Sequence, residues 1–325
     1  MEYEKIYNTM IVAFAEDLED NGERSYITDL TIISIKSLVP SKKYVKVNID
    51  YNRYNEEIKL WQYYRNGDNP SLLNLFQNID PEIYWEGIDD SVYSRILPIV
   101  VVNTDFDNIR EEIIKNLLFT TGNIEILIEV ILISKMIFLL INNSENIIEE
   151  LKGEIINFSQ LEFERNYRKH YRISINEYRK NYIVDFEQKK IFALNILNSS
   201  PAPGFNTLKD CLKVLLSNGI ARTTMGKCIK VLLDNNIGEI DIDDYYKELI
   251  FYLDRLRNGK IVPEALEIEK YYLPDIFQFN QGQVFFHSLL NKCLVINKEE
   301  IGNDTIVDLD TKSGIYRFKK TNLLS

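Results

Sequence analysis

The sequence has few residues that bind soft metals. It contains three cysteines, Cys211, Cys228 and Cys293, and only two histidines, His170 and His287, in 325 residues. No cysteine belongs to a CxxC pair, so a zinc site built from Cys and His is not expected. Cys211 and Cys228 fall on apolar helix faces, where a reduced thiol acts as a small core residue. Buried, reduced thiols are typical of the cytoplasm, and we predict a cytoplasmic protein.

The chain also has a deficit of positive charge. It carries 38 Lys and Arg against 49 Asp and Glu, a formal net charge of -11. Such a surface repels phosphate backbones, so nucleic-acid binding is not expected. An acidic surface can dock a basic protein partner. Most acidic proteins are nevertheless simply soluble, and composition alone favours that interpretation.

Long uncharged apolar runs are missing as well. The N-terminus "MEYEKIYNTM" has no basic region followed by an apolar stretch, so it does not resemble a signal peptide. The most apolar segment, 124–141, contains Glu125, Glu129 and Lys135. This spacing predicts the central helix of a helical core and no association with a membrane. The sequence lacks Gly-x-Ser-x-Gly, a phosphate-binding glycine loop and His-Glu-x-x-His, so it offers none of these catalytic motifs.

Most of the chain has the spacing of amphipathic helices. Apolar residues recur three and four positions apart before a loop at 198–206 and again after it. Thr28 or Asp29 is a plausible N-cap of the second helix, and Pro98 either kinks a helix or lies in its first turn. The predicted helices include 5–18, 29–38, 54–66, 70–78, 89–102, 106–118, 123–143, 205–219 and 223–238.

The pattern changes after residue 262. The segments 293–297, 305–310 and 314–320 have strand propensity, and "NKEEIGND" and "TKSG" separate them as turns. We therefore predict a mainly α fold with two parts. An all-α domain covers 1–262, and a C-terminal extension with short β-strands covers 263–325.

Three polar junctions precede apolar helices: "YITDLT" at 26–31, "LFTTGN" at 118–123 and "NGIARTT" at 218–224. Helices packed side by side would point these N-termini into one cleft. Each junction alone is also an ordinary helix cap. Together and in this order they resemble the ADP-ribosylglycohydrolase family, which includes an eye-lens crystallin. The matching stretches are "AED" at 15–17, "TDLT" at 28–31, "LWQYYRNGD" at 60–68, "DDSVYSRILPI" at 89–99, "FTTGN" at 119–123 and "GIART" at 219–223.

The resemblance implies a compact all-α bundle that hydrolyses a glycosidic bond to ADP-ribose with paired Mg²⁺ ions. Hard cations need oxygen ligands, chiefly carboxylates. At the matching positions this chain keeps Thr28, Asp29 and Thr223. Leu30, Ile220 and Arg222 stand where the other metal-binding carboxylates belong. We therefore expect no metal or other cofactor, and an ion pair between Arg222 and Asp29 across the site.

The ligand side of the resemblance is altered too. Asp89 and Asp90 replace glycines that would allow a close approach to the diphosphate, and Thr121 stands at the Thr-His position. Arg95 is kept, but it could equally serve in a structural ion pair. We expect weak or no binding of ADP-ribose. The candidate cleft residues are Asp17, Asp89, Asp90, Arg95, Thr121 and Asn123.

Three functions remain open from the sequence. The first is a non-catalytic ADP-ribosylglycohydrolase-like protein that binds a partner protein or a nucleotide-like ligand, for instance as an immunity protein against a toxin. The second is an active hydrolase in which Glu16, Asp17, Asp89 and Asp90 supply the missing carboxylates. The third is a helical structural protein with no relation to that family.

Overall fold

The computed structural model describes residues 2–42, 46–76, 79–160, 163–234 and 240–321. The fold is mainly α with a small C-terminal sheet, as predicted. The helices are α1 (Glu2–Asn21), α2 (Tyr26–Lys36), α3 (Tyr51–Trp61), α4 (Pro70–Leu73), α5 (Pro81–Glu86), α6 (Val92–Arg95), α7 (Leu97–Val102), α8 (Phe106–Leu118), α9 (Ile124–Ile141), α10 (Ile147–Gln160), α11 (Phe163–Tyr167), α12 (Tyr182–Leu197), α13 (Asn206–Ser217), α14 (Thr224–Asp234) and α15 (Asp244–Arg257).

Helix α9 lies at the centre of the helical part. Its side chains are buried around most of its circumference, as expected for a helix with such a high apolar content. Helices α8, α10, α12, α13 and α14 pack against it. Within the described ranges, no helix combines the length and apolar character that crossing a membrane requires.

Helix α2 begins earlier than the sequence suggests. Its N-cap is Ser25, whose hydroxyl accepts a hydrogen bond from the amide of Ile27 at 3.1 Å. The prediction of Thr28 or Asp29 as the cap is wrong, because both lie inside the helix with buried side chains. The backbone amide and the hydroxyl of Ser25 both donate hydrogen bonds to the carboxylate of Asp17 in α1. These bonds fix the connection between α1 and α2.

Two other helix predictions are only partly covered. The segment 54–66 ends as helix at Trp61, and 70–78 contains only the short α4. Residues 77–78 fall outside the described part of the chain, as do 235–239 of the predicted helix 223–238. Pro98 lies in the first turn of α7, where its missing amide proton costs nothing.

The strands form two antiparallel sheets. Strands β1 (Leu38–Pro40) and β2 (Val47–Ile49) make a small ribbon, which the sequence did not predict. Strands β3 (Val284–His287), β4 (Asn291–Ile301), β5 (Asp304–Thr311) and β6 (Gly314–Thr321) form a meander in that order. The three predicted strands correspond to β4, β5 and β6. The predicted turn "NKEEIGND" is confirmed only at residues 302–303, since β4 continues to Ile301 and pairs there with Asp304.

The buried apolar side chains fall into two clusters. One fills the helical part, and the other lies under the C-terminal sheet. Leu60 of α3 belongs to the second cluster, and Tyr63 and Tyr64 pack against it. The sheet is thus anchored on the end of α3. The division at 262/263 stays a prediction.

Candidate functional site

Two adjoining cavities open along one side of the helical part, and we call them together the cleft. The α1 cavity, of about 340 Å³, lies between α1, the N-terminus of α2 and the loop that precedes α14. The α9 cavity, of about 500 Å³, lies between α5, the N-terminus of α9 and the segment from 178 to 207. Asp90, Tyr93 and Thr207 line both cavities, so the two lie side by side.

The loop "GIARTTMG" forms one wall of the α1 cavity through Arg222 and Thr223. Its conformation is fixed by Asp210 of α13, one oxygen of which accepts the amide protons of Arg222 and Thr223, both at 2.9 Å. The Thr223 hydroxyl donates to the same oxygen at 2.8 Å and accepts from the amide of Gly226. Burial would raise the pKa of Asp210, but these hydrogen bonds outweigh it and lower the pKa.

Asp210 therefore occupies the two amide groups just before α14, and the Thr223 hydroxyl occupies that of Gly226 in the first turn. The N-terminus of a helix is otherwise a favourable place for an anionic ligand. Gly226 allows this arrangement, since a Cβ atom at that position would collide with the Asp210 carboxylate. The sequence did not identify Asp210, because it lies within an amphipathic helix where an acidic residue is unremarkable.

Of the other loop residues, Ile220 is 81% exposed and is absent from both cavity walls. The Arg222 side chain is exposed and lies at the α1 cavity. The predicted ion pair between Arg222 and Asp29 is wrong. Asp29 is paired with Arg24, and its second oxygen accepts from the Trp61 indole at 3.0 Å. No ion pair of Arg222 is found among the described residues.

The α2 residues singled out by the sequence lie behind the cleft wall. Leu30 is fully buried in the helical core. Thr28 and Asp29 are 1% and 3% exposed, and Ile27 is the α2 residue that reaches the α1 cavity. The Asp29 carboxylate is thus enclosed by Arg24 and Trp61. Burial alone would lower the pKa of the Arg24 guanidinium, but the negative charge of Asp29 outweighs burial and raises that pKa.

Asp89 and Arg95 do not belong to the cleft, contrary to their prediction as cleft residues. Both side chains are completely buried and form an ion pair. Arg95 also donates to the side chains of Asn116 at 2.8 Å and Thr120 at 2.6 Å. Burial would raise the pKa of Asp89, but the Arg95 charge lowers it. The pair joins α6 to the segment that precedes it, and the bond to Asn116 joins Arg95 to α8, so the role of Arg95 is structural.

Asp90, Asp17 and Asn123 do line the cleft. Asp90 is exposed and accepts from the Tyr26 hydroxyl and the Asn69 amide, both at 2.8 Å. Asp17 is buried and bound to Ser25, as described above. Asn123 is the N-cap of α9, with its side-chain oxygen bound to the amides of two residues in the first helical turn. Thr121 is fully buried, and its hydroxyl donates to backbone carbonyls.

Two acidic residues of α9 complete the α9 cavity. Glu125 accepts from the amide of Phe205 at 2.9 Å, and Glu129 accepts from that of Leu208 at 2.7 Å. Together they cap the N-terminus of α13, which has no side-chain cap of its own. Burial raises the pKa of Glu129, although the Tyr93 hydroxyl donates to it at 2.5 Å. Acids in so apolar a helix indicate buried polar partners, but the sequence did not identify the start of α13 as that partner.

The cleft as a whole is acidic. Its walls hold eight carboxylic acids and four basic side chains. The acids are Glu16, Asp17, Asp20, Glu86, Asp90, Glu125, Glu129 and Asp185, and the bases are Lys180, Lys189, Arg222 and Lys227. Lys227 pairs with Glu16, and Lys189 pairs with Glu125. In the part of the chain that is described, no group of three or more His, Cys, Asp or Glu side chains has the arrangement of a metal site.

Comparison with known proteins gave no match to a family model, a curated protein or a solved structure.

Proposed function

We propose that this chain is a non-catalytic binding protein, related in architecture to the ADP-ribosylglycohydrolases, and that its cleft receives a basic segment of a partner protein. The observation that carries the proposal is the charge of the cleft. Eight acids and four bases line it. A cationic side chain entering this space is attracted, whereas the diphosphate of ADP-ribose is repelled.

The state of the acids supports a binding role over hydrolysis. Rearranged metal sites would need Glu16, Asp17, Asp89 and Asp90 to converge. Asp89 is buried in an ion pair with Arg95, Glu16 forms an ion pair with Lys227, and Asp17 accepts a hydrogen bond from Ser25. The acids with the most accessible side chains are Asp20, Glu86 and Asp90, and none of them is paired with a cation among the described residues.

The walls also provide contacts for the apolar part of a basic side chain. The α9 cavity is lined by the aromatic rings of Trp85, Tyr93 and Tyr178, with the carboxylates of Glu86 and Asp185 among them. Aromatic faces beside carboxylates favour guanidinium and ammonium groups, because the ring quadrupole and the negative charge attract the same cation. We therefore place the side chain of an arginine or lysine in the α9 cavity.

Calorimetric titration with a hexa-arginine peptide tests this proposal, with hexa-glutamate and ADP-ribose as comparison ligands. We expect heat from the arginine peptide alone, with an affinity that falls as salt increases. The double variant Glu86→Gln/Asp90→Asn should weaken binding at least about fivefold, since both acids lie on the wall of the α9 cavity. The control Glu300→Gln/Asp310→Asn removes two exposed acids from the sheet and should change the affinity less than about twofold.

Three results would contradict the proposal. The first is equal weakening by the two double variants, which would mean that the peptide follows net charge alone. The second is tighter binding of ADP-ribose than of the arginine peptide. The third is Mg²⁺-dependent release of ADP-ribose from a modified arginine, which would establish the active hydrolase instead.

A further inference from the structure

A third cavity, of about 360 Å³, lies between the end of α3 and the C-terminal sheet. It shares no lining residue with the cleft. Much of its wall is apolar or aromatic, including Leu60, Tyr63, Phe277 and Leu289. Its volume falls within the range of small-molecule sites, about 300–1,000 Å³.

His287 provides a polar group in this wall. The residue is 2% exposed, and its Nδ1 accepts a hydrogen bond from the amide of Leu289 at 3.2 Å. The proton of the neutral ring therefore resides on Nε2. Among the described residues, no hydrogen-bond acceptor is found for that N–H group. Burial lowers the pKa of His287 to about 4, so the ring is neutral at physiological pH.

An N–H group on a buried residue that lines a cavity, and that has no protein acceptor, favours a ligand that supplies an acceptor. The charged groups around the cavity do not favour an ionic ligand. Lys59 is paired with Glu56 at 2.6 Å, and Lys320 is paired with Asp275 at 3.5 Å. The rings of Tyr63 and Phe277 meet edge to face in the same wall, with centroids 5.4 Å apart.

From this arrangement we infer that the third cavity is a binding site for a small, uncharged aromatic molecule with a carbonyl group, which accepts a hydrogen bond from His287 Nε2. The aromatic part lies against Tyr63, Phe277 and Leu289. This site is independent of the proposed function of the cleft, because the two share no wall.

The test uses two probes of matched shape, acetophenone and ethylbenzene, with the full chain. The imidazole signals are followed by NMR in protein labelled at histidine. Since the chain has only two histidines, His170 serves as an internal control. We expect acetophenone to shift the His287 signals in a saturable manner, to leave His170 unchanged, and to bind about fivefold more tightly than ethylbenzene, the effect of one neutral hydrogen bond.

Variants separate the hydrogen bond from the cavity. His287→Phe should remove the preference for acetophenone while ethylbenzene still binds, as seen from the ligand signals. Leu273→Trp, at a wall position that is 36% exposed, should fill the cavity and abolish binding of both probes without disturbing the core. Val284→Trp, exposed on the same sheet and away from the cavity, should leave both affinities unchanged.

The inference is overturned if His287 does not respond up to the solubility limit of acetophenone. It is also overturned if the two probes bind equally, or if Leu273→Trp binds them as the unaltered chain does. The Leu273→Trp result decides the matter even if His287→Phe fails to fold.

Discussion

Asp210 determines the conformation of the loop at 219–226, and its removal should loosen that loop. Its carboxylate binds two amides and one hydroxyl at the start of α14. A capping contact contributes about 1 kcal/mol, and a hydrogen bond to a charged group about 1.5–3 kcal/mol. Water replaces part of this because Arg222 and Thr223 are partly exposed. Asp210→Ala should therefore lower the free energy of unfolding by about 2–3 kcal/mol.

The pH dependence gives a second measure of the same interaction. The pKa of Asp210 is lower in the folded chain than in the unfolded one. Its contribution to stability is thus complete above the unfolded pKa, near 3.9, and is lost as the pH falls through the folded pKa. Asp210→Asn keeps one acceptor oxygen and should lose this pH-dependent part.

Urea unfolding followed by circular dichroism measures the global effect, and hydrogen exchange measures the local one. The amides of Arg222 and Thr223 should exchange faster in Asp210→Ala. Asp20→Ala is the control, because Asp20 is exposed and no hydrogen bond of its side chain is found among the described residues. Unchanged exchange at both amides in Asp210→Ala would refute the role assigned to this carboxylate.

Three further substitutions test neighbouring contacts. Gly226→Ala should destabilise the chain by about 1–3 kcal/mol in urea unfolding, although alanine is the better helix former, because the added Cβ collides with Asp210. Arg24→Ala should cost about 1–3 kcal/mol by leaving the buried Asp29 carboxylate without its cation, whereas Arg222→Ala should cost less than about 0.5 kcal/mol. Glu129 has a raised pKa, so its contribution to stability is present below the unfolded pKa and falls as the pH rises through the folded value. Glu129→Gln should remove that slope from unfolding measured between pH 4 and pH 8.

The elements that the sequence predicted well are those defined by their own side chains. The predicted helix 106–118 matches α8, and 123–143 matches α9 within two residues at each end. The predicted strand 293–297 ended before β4 does, because the second half of β4 is polar. Lys298 and Glu299 there pair with Val307 and Ile306 through the backbone. A ladder of backbone hydrogen bonds does not require apolar side chains, so composition alone does not locate the end of such a strand.

The site was harder to predict because its contacts join residues far apart in the chain. Glu125 and Glu129 were visible as acids within an apolar helix, and a buried charge requires a partner. Nothing in the sequence identified that partner as the N-terminus of α13, since Phe205 has no capping side chain. Asp210 gave still less signal, because an acidic residue on an amphipathic helix is usually solvated.

The prediction for Asp29 was wrong for a different reason, because its actual cation, Arg24, lies only five residues away in the chain. The family resemblance predicted that Arg222 lies opposite Asp29, but the sequence does not show that the Asp29 carboxylate points to Trp61, behind the cleft wall. A buried carboxylate takes a cation that can follow it into the interior, and Arg24, in the connection from α1, does so. Arg222 is then left at the α1 cavity among the carboxylates of Asp17, Asp20 and Asp90. The cleft is acidic despite Arg222. The basic side chain proposed for the α9 cavity would meet no guanidinium in its wall, where the cations are Lys180 and Lys189.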